Sequence, residues 1–177
     1  IRDSLKVGTI ADLIDYKLSK ESTIENVHTK DVTTEFGEFK LNVWRDVIFD
    51  EYHFSLTKGS PEKVDVPMVR VQTQSVLQDT LGIDEIGKKW SIRKSLQKIA
   101  DEGTGVFVLI NHRDAKTYWL SNLKDENIEP KRNRRVIGIG SQILRAIGLN
   151  KIKVLGTPTK YSGLSGFNIE IEGFIDE

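Results

Sequence analysis

Val66-Pro-Met-Val-Arg-Val-Gln-Thr-Gln-Ser75 reads as a buried strand running into a polar loop, continued by Val76-Leu-Gln-Asp-Thr-Leu-Gly82. In α/β folds the ends of such strands usually carry the chemistry, because the rigid strand fixes the loop residues in place. Upstream, Val27 to Thr34 is rich in β-branched residues and Phe36-Gly37 punctuates a hairpin. Phe39, Leu41 and Val43 then alternate with Lys40, Asn42 and Trp44, the mark of a half-buried strand. Tyr52, Phe54 and Leu56 repeat that pattern after the Asp50-Glu51 bend. Lys58-Gly-Ser-Pro61 is a turn, so the opening strand itself runs from Val64 to Val71.

Downstream, the apolar stripe Ile92, Leu96, Ile99 and Ala100 predicts a helix from Lys88 to Glu102, with Gly103 as its stop. Gly105-Val-Phe-Val-Leu-Ile110 is the short continuous apolar run of a buried central strand. The segment from Val136 to Asn150 has a helical face of Ile143, Leu144 and Ile147, ended by Gly148. Strands follow at Ile152 to Leu155 and Phe167 to Ile171. Near the start, Thr9-Ile-Ala-Asp12 has the form of a capping box and opens a helix from Ile10 to about Leu18.

Composition narrows the function. A chain of 177 residues, 38% hydrophobic and 29% charged, is long enough for one domain with its own core and a short appendage. Lys+Arg 26 against Asp+Glu 26 leaves no global attraction for nucleic acid or an anionic membrane. The run Lys131-Arg-Asn-Arg-Arg135 reads as a solvated loop, and without interleaved aromatics it is a poor nucleic-acid site. With Cys 0 there is no disulfide framework, no thiolate nucleophile and no Cys-based zinc site. His28, His53 and His112 show no ligand spacing, so no cofactor is expected. No apolar run approaches the roughly 20 residues that span a membrane. There is no signal-peptide pattern, and the expected location is the cytoplasm. Ile1 in place of an initiator Met suggests a piece of a longer chain.

Several phrases together resemble GTP cyclohydrolase II of riboflavin synthesis. Arg70-Val71 matches the opening of that family's Arg-Val-His-Ser-Glu-Cys segment, with Gln72, Thr73, Gln74 and Ser75 in place of the rest. Thr34-Glu-Phe-Gly-Glu-Phe39 is similar to its Pro-Thr-x-x-Gly-x-Phe opening. Ser95-Leu-Gln-Lys-Ile-Ala-Asp-Glu-Gly-Thr-Gly-Val106 follows its Ala-Leu-x-x-Ile-x-x-Glu-Gly-x-Gly-Val element. The segment from Val136 resembles its Tyr-Gly-x-Gly-Ala-Gln-Ile-Leu helix. Upstream, Lys6 to Lys17 resembles the last helix of dihydroxybutanone-phosphate synthase, which many bacteria fuse in front of the cyclohydrolase. The resemblance implies an α/β fold with a mixed sheet and flanking helices. It divides the chain into a synthase helix remnant at 1–24 and a GTP cyclohydrolase II-like domain at 25–177. It also implies a homodimer and a fused synthase domain as partners.

In that family a zinc ion held by three thiolates activates water to attack the imidazole ring of GTP, lowering the water's pKa to about 7. Here Ser75 stands at the first ligand, and no Cys or His lies between Thr80 and Trp90, where Asp84 and Glu85 are the only acids. The family's Glu-Gly-Arg nucleotide loop is replaced by Asn111 to Leu120. Its Asp-x-Arg-Asp motif becomes Asn133-Arg-Arg135-Val136, so the phosphate-binding arginine aligns with Arg135 and both carboxylates are gone. Its Thr-Asn-Asn-Pro-x-Lys loop corresponds to Gly156-Thr-Pro-Thr-Lys160.

The resemblance thus leaves Arg70, Arg135, Thr157 and Lys160 as relic nucleotide- or phosphate-binding residues, with no catalytic residue and no metal. The expectation is a non-catalytic domain that scaffolds or regulates the fused synthase. The alternative is a metal-independent enzyme or binder acting on GTP or another nucleotide, with His112, Asp114 and Arg135 as its working groups.

Overall fold

The computed structural model describes residues 21–83, 90–111, 134–158 and 168–176. Among them, strands β1 (Ile24–Thr34), β2 (Gly37–Asp46), β3 (Glu51–Lys58), β4 (Met68–Thr73), β5 (Gly105–Ile110), β6 (Lys151–Leu155) and β7 (Glu170–Ile175) form one sheet in the order β1-β2-β3-β5-β4-β6-β7. β1, β2, β3 and β5 pair antiparallel, whereas β5, β4, β6 and β7 pair parallel. The α/β architecture with a mixed sheet is therefore as read.

Two helices complete it: α1 (Ile92–Glu102) and α2 (Arg134–Ile147). They cover opposite faces. Along β4 and β5, Val69, Val106, Val108 and Ile110 join Ile139, Ile143 and Leu144 of α2 in one core. The alternate residues Met68 and Phe107 join Leu96 and Ile99 of α1, with Trp90 and Phe39, in the other. Burial on both faces is why β5 reads as an unbroken apolar run. α2 approaches especially closely because Gly140 faces β4; a Cβ there would lie 2.8 Å from Val71 Cγ1.

Local chemistry sets the ends. The Ser91 hydroxyl caps α1 by accepting from Lys94 N at 3.2 Å, and Gly103 closes it in the left-handed region at φ +77°. The helix therefore begins at Ile92 among the described residues; Lys88 and Lys89 lie outside them. β1 runs along the sheet edge, mostly exposed, with a bulge between Asn26 and His28 and a charged Lys30, features that discourage pairing with another chain.

Several sequence expectations are corrected. The buried face of β3 is the polar one: Glu51, His53, Ser55 and Thr57 point inward while Tyr52 is exposed. Its partner β2 buries Phe39 as read, but then Asn42, Trp44 and Asp46 rather than Leu41 and Val43. Arg135 from the first turn of α2 meets Asp46 and Glu51 at one end of this face, and Asn42 and Trp44 both bond Ser55 across β2 and β3. β4 starts later than read, after a 3-10 turn at Pro61–Lys63. The loop that follows it contains a π-helical turn at Val76–Thr80. The last strand lies at Glu170–Ile175, because its pairing with β6 begins only at Lys151↔Glu170. The helix read at Ile10 to Leu18 and residue Phe167 lie outside the described residues.

Candidate functional site

β4 carries Arg70 and Gln72 on the α1 face. The Arg70 guanidinium donates to Leu155 O at 2.6 Å, Gln72 Oε1 at 2.8 Å and Trp90 O at 3.2 Å. It therefore braces β4, β6 and the entry to α1. Gly156 lets the guanidinium sit close, since a Cβ there would be 3.1 Å from Arg70 Nη1. Thr157 follows at the same strand end, its hydroxyl donating to Asp176 Oδ1 at 3.4 Å. Lys160 lies outside the described residues.

Past β4, the π-helical turn is organised by Asp79. One carboxylate oxygen accepts from Ser75 N at 2.7 Å, and the other from Ile92 N at 3.0 Å. The Ser75 hydroxyl in turn accepts from Gln78 N at 3.4 Å. A single carboxylate thus ties the loop to the first turn of α1. The resemblance places a thiolate-held zinc in this loop. The residues present do not suit it: Ser75 is a neutral hydroxyl already hydrogen-bonded, both Asp79 oxygens hold backbone amides, and the chain has no cysteine. Among the described residues no group of three or more His, Cys, Asp or Glu side chains is placed to hold a metal. Asp84 and Glu85 lie outside them.

Arg135 stands on the other face. From the first turn of α2 it donates to Glu51 Oε2 at 2.6 Å and approaches Asp46 Oδ2 at 3.4 Å. Its guanidinium also stacks on the Phe49 ring, 3.6 Å from the centroid. Asp46 holds the β2–β3 turn as well, accepting from Ile48 N at 2.9 Å and Phe49 N at 3.4 Å. Beside them His53, 0% exposed, accepts from Asn111 N through Nδ1 at 3.2 Å, which places its ring proton on Nε2. Ser55 accepts from Trp44 Nε1 at 2.9 Å. Further along α2, Gln142 Oε1 accepts from Thr23 N at 2.7 Å and ties the chain entering β1 to the helix.

The candidate residues are thus not gathered into one site. Arg70 and Thr157 share a strand end, Arg70 on the α1 face, while Arg135 sits on the α2 face with the sheet between. His112 and Asp114 lie outside the described residues. Arg135 also turns inward, so the basic run that contains it is not a uniform outward row of cations. Asp46, Glu51, His53, Asp79 and Gln142 were not singled out from sequence. The signal for Glu51 and His53 was the inward set of β3, and for Asp46 that of β2, each of which looks like a solvent face when read alone.

A seven-stranded mixed sheet, parallel on one side and antiparallel on the other, with helices on both faces, defines an α/β domain with its polar clusters at strand ends. The chain belongs to the GTP cyclohydrolase II family, whose sequence profile matches residues 25–176. It is 32% identical over 177 residues to the 3,4-dihydroxy-2-butanone 4-phosphate synthase of Pseudomonas aeruginosa, covering 97% of this chain and 48% of that one. It is 31% identical to the riboflavin biosynthesis protein RibBA of Aquifex aeolicus, covering 96% of this chain and 46% of the relative. The crystal structure of RibBX, a two domain 3,4-dihydroxy-2-butanone 4-phosphate synthase from A. baumannii, superposes with a TM-score of 0.69 at 30% identity, over 98% of this chain and 46% of that one. The chain spans about half the length of the curated relatives it matches. No helix among the described residues is long and apolar enough to cross a membrane.

Proposed function

We propose that this chain is a non-catalytic GTP cyclohydrolase II-like domain of a riboflavin biosynthesis protein, which scaffolds or regulates a fused dihydroxybutanone-phosphate synthase. The observation that carries the reading is the loop after β4, where Asp79 holds Ser75 N and Ile92 N. Hydrogen bonds donated to one carboxylate order the start of the segment in which the family's metal chemistry would take place. A neutral hydroxyl and a fully engaged carboxylate cannot replace three thiolates. The synthase names of relatives aligned along nearly the whole chain support the choice of partner. In this reading the protein is a homodimer, and residual anion affinity belongs to Arg70 and Thr157 at the carboxyl end of β4 and β6, together with Lys160.

The test is a calorimetric titration of the purified protein with GTP, with and without added zinc, alongside an assay for formate release. The expected result is no formate and no response to zinc. Zinc-stimulated formate release sinks the proposal outright. Saturable GTP binding that ignores zinc turns the domain into a nucleotide sensor, whose contacts Arg70→Ala and Lys160→Ala would then separate.

A further inference from the structure

At the end of the sheet where β1 begins, large apolar side chains lie open to solvent. Val27 sits at the β1 bulge, Val47 and Ile48 in the β2–β3 turn and Tyr52 at the start of β3, each 45% to 47% exposed. Four of the seven exposed large hydrophobics among the described residues are thus gathered at one place, which scattered surface apolars are not. Tyr52 and Phe54 share the face of β3 opposite the buried Glu51 and His53, and Phe54 pairs with Val43 of β2. On this face α1 reaches Phe39 and Leu56 but stops short of Val43 and Phe54. Those two are half-buried and, among the described residues, belong to neither core. Beside Tyr52, Arg45 donates to Asp50 at 2.9 Å, a polar rim satisfied within the domain.

Such a patch exposes on the order of a few hundred Å². A stable interface between free partners buries roughly 1,200 Å² or more in total, so two separate copies of this chain would meet here only weakly. A domain tethered in the same chain needs far less, because a short tether holds it at an effective concentration of about millimolar. The tether is in the right place: the chain enters β1 against the β2–β3 turn, where Val47 N donates to Thr23 O at 2.9 Å. We propose that this surface docks the synthase domain that the scaffold reading places upstream in the same chain. The docked face is apolar in return, since the six side chains here offer one hydroxyl, that of Tyr52. The proposal rests on the scaffold reading and names the surface through which this domain acts.

The chain has no cysteine, so Ile48→Cys gives it a single thiol. Maleimide labelling of that thiol, read by peptide mass spectrometry, is compared in this chain and in the same chain fused behind a dihydroxybutanone-phosphate synthase. The control is Leu81→Cys in the loop after β4, where Leu81 is 63% exposed. Fusion is expected to slow labelling of Ile48→Cys by at least about tenfold and to leave Leu81→Cys unchanged. An Ile48→Cys thiol that reacts equally fast in both proteins overturns the proposal, as does equal slowing at both positions. Slowing in the unfused chain that grows with its concentration gives the surface to a second copy and overturns it too. If tryptophan fluorescence shows Ile48→Cys misfolded, Tyr52→Cys is read by the same criteria. Should the thiol stay unprotected while synthase activity still follows the stability of this domain, the docking surface fails alone and the scaffold reading stands.

Discussion

At the scale of single residues, two carboxylate contacts hold the parts of this domain that the family resemblance marks as functional. Removing Arg135 would leave Asp46 and Glu51 facing each other in a nearly dry pocket. Arg135→Gln is therefore expected to lower unfolding free energy by about 3–5 kcal/mol in urea denaturation. Arg135→Lys should recover little, because a point charge neither stacks on Phe49 nor forks between two acids. Asp79 acts at lower cost. Asp79→Ala leaves Ser75 N and Ile92 N without that acceptor and should cost about 1–2 kcal/mol, the range of a lost helix cap. Neither zinc nor a chelator should change the melting temperature of parent or variant, since the tie contains no metal; a zinc-dependent rise in Tm would contradict it. None of this was legible from residue type. Glu51, His53, Ser55 and Thr57 alternate with aromatic and aliphatic neighbours as a solvent-facing row does. Only the fold shows that this row faces inward, where Arg135 of α2 meets Glu51, Asn111 meets His53, and Trp44 of β2 meets Ser55.

At the scale of elements, the legible parts were those with a strong local signal. The apolar run of β5 and the capped stripe of α1 needed no tertiary information, because length, periodicity and a terminating glycine specify them locally. The ends of β4 and β7 were misplaced because parallel pairing fixes them: β4 pairs with β6 from Met68 and β7 with β6 from Glu170. Gly140 is a further feature that only packing explains. A side chain there has to push against Val71, so Gly140→Val should raise α2 off β4 and cost about 1–3 kcal/mol, the usual range for overpacking a filled core. The control is Arg145→Ala on the exposed side of the same helix, which meets no core residue and is expected to leave the urea midpoint nearly unchanged.

At the scale of the whole molecule, the scaffold reading makes folding of this domain a condition for activity elsewhere. The relatives are about twice as long as this chain, and a domain retained without chemistry can act on a partner only through its folded surface. On that reading, the synthase activity of a protein in which this domain is fused to a synthase should follow the stability of this domain. Gly140→Val, which replaces no site residue named above, should lower the temperature at which synthase activity is lost, by about 2–12 °C for 1–3 kcal/mol in a domain of this size. Arg145→Ala should leave that temperature where it was. The measurement is residual synthase rate after timed heating, with unfolding of this domain followed in parallel by tryptophan fluorescence of Trp44 and Trp90. If the synthase keeps its full rate after this domain has unfolded, the domain supports neither its fold nor its turnover. If the two transitions move together in Gly140→Val and stay together in the parent, the coupling is physical, because the substitution acts only by displacing α2 from the sheet.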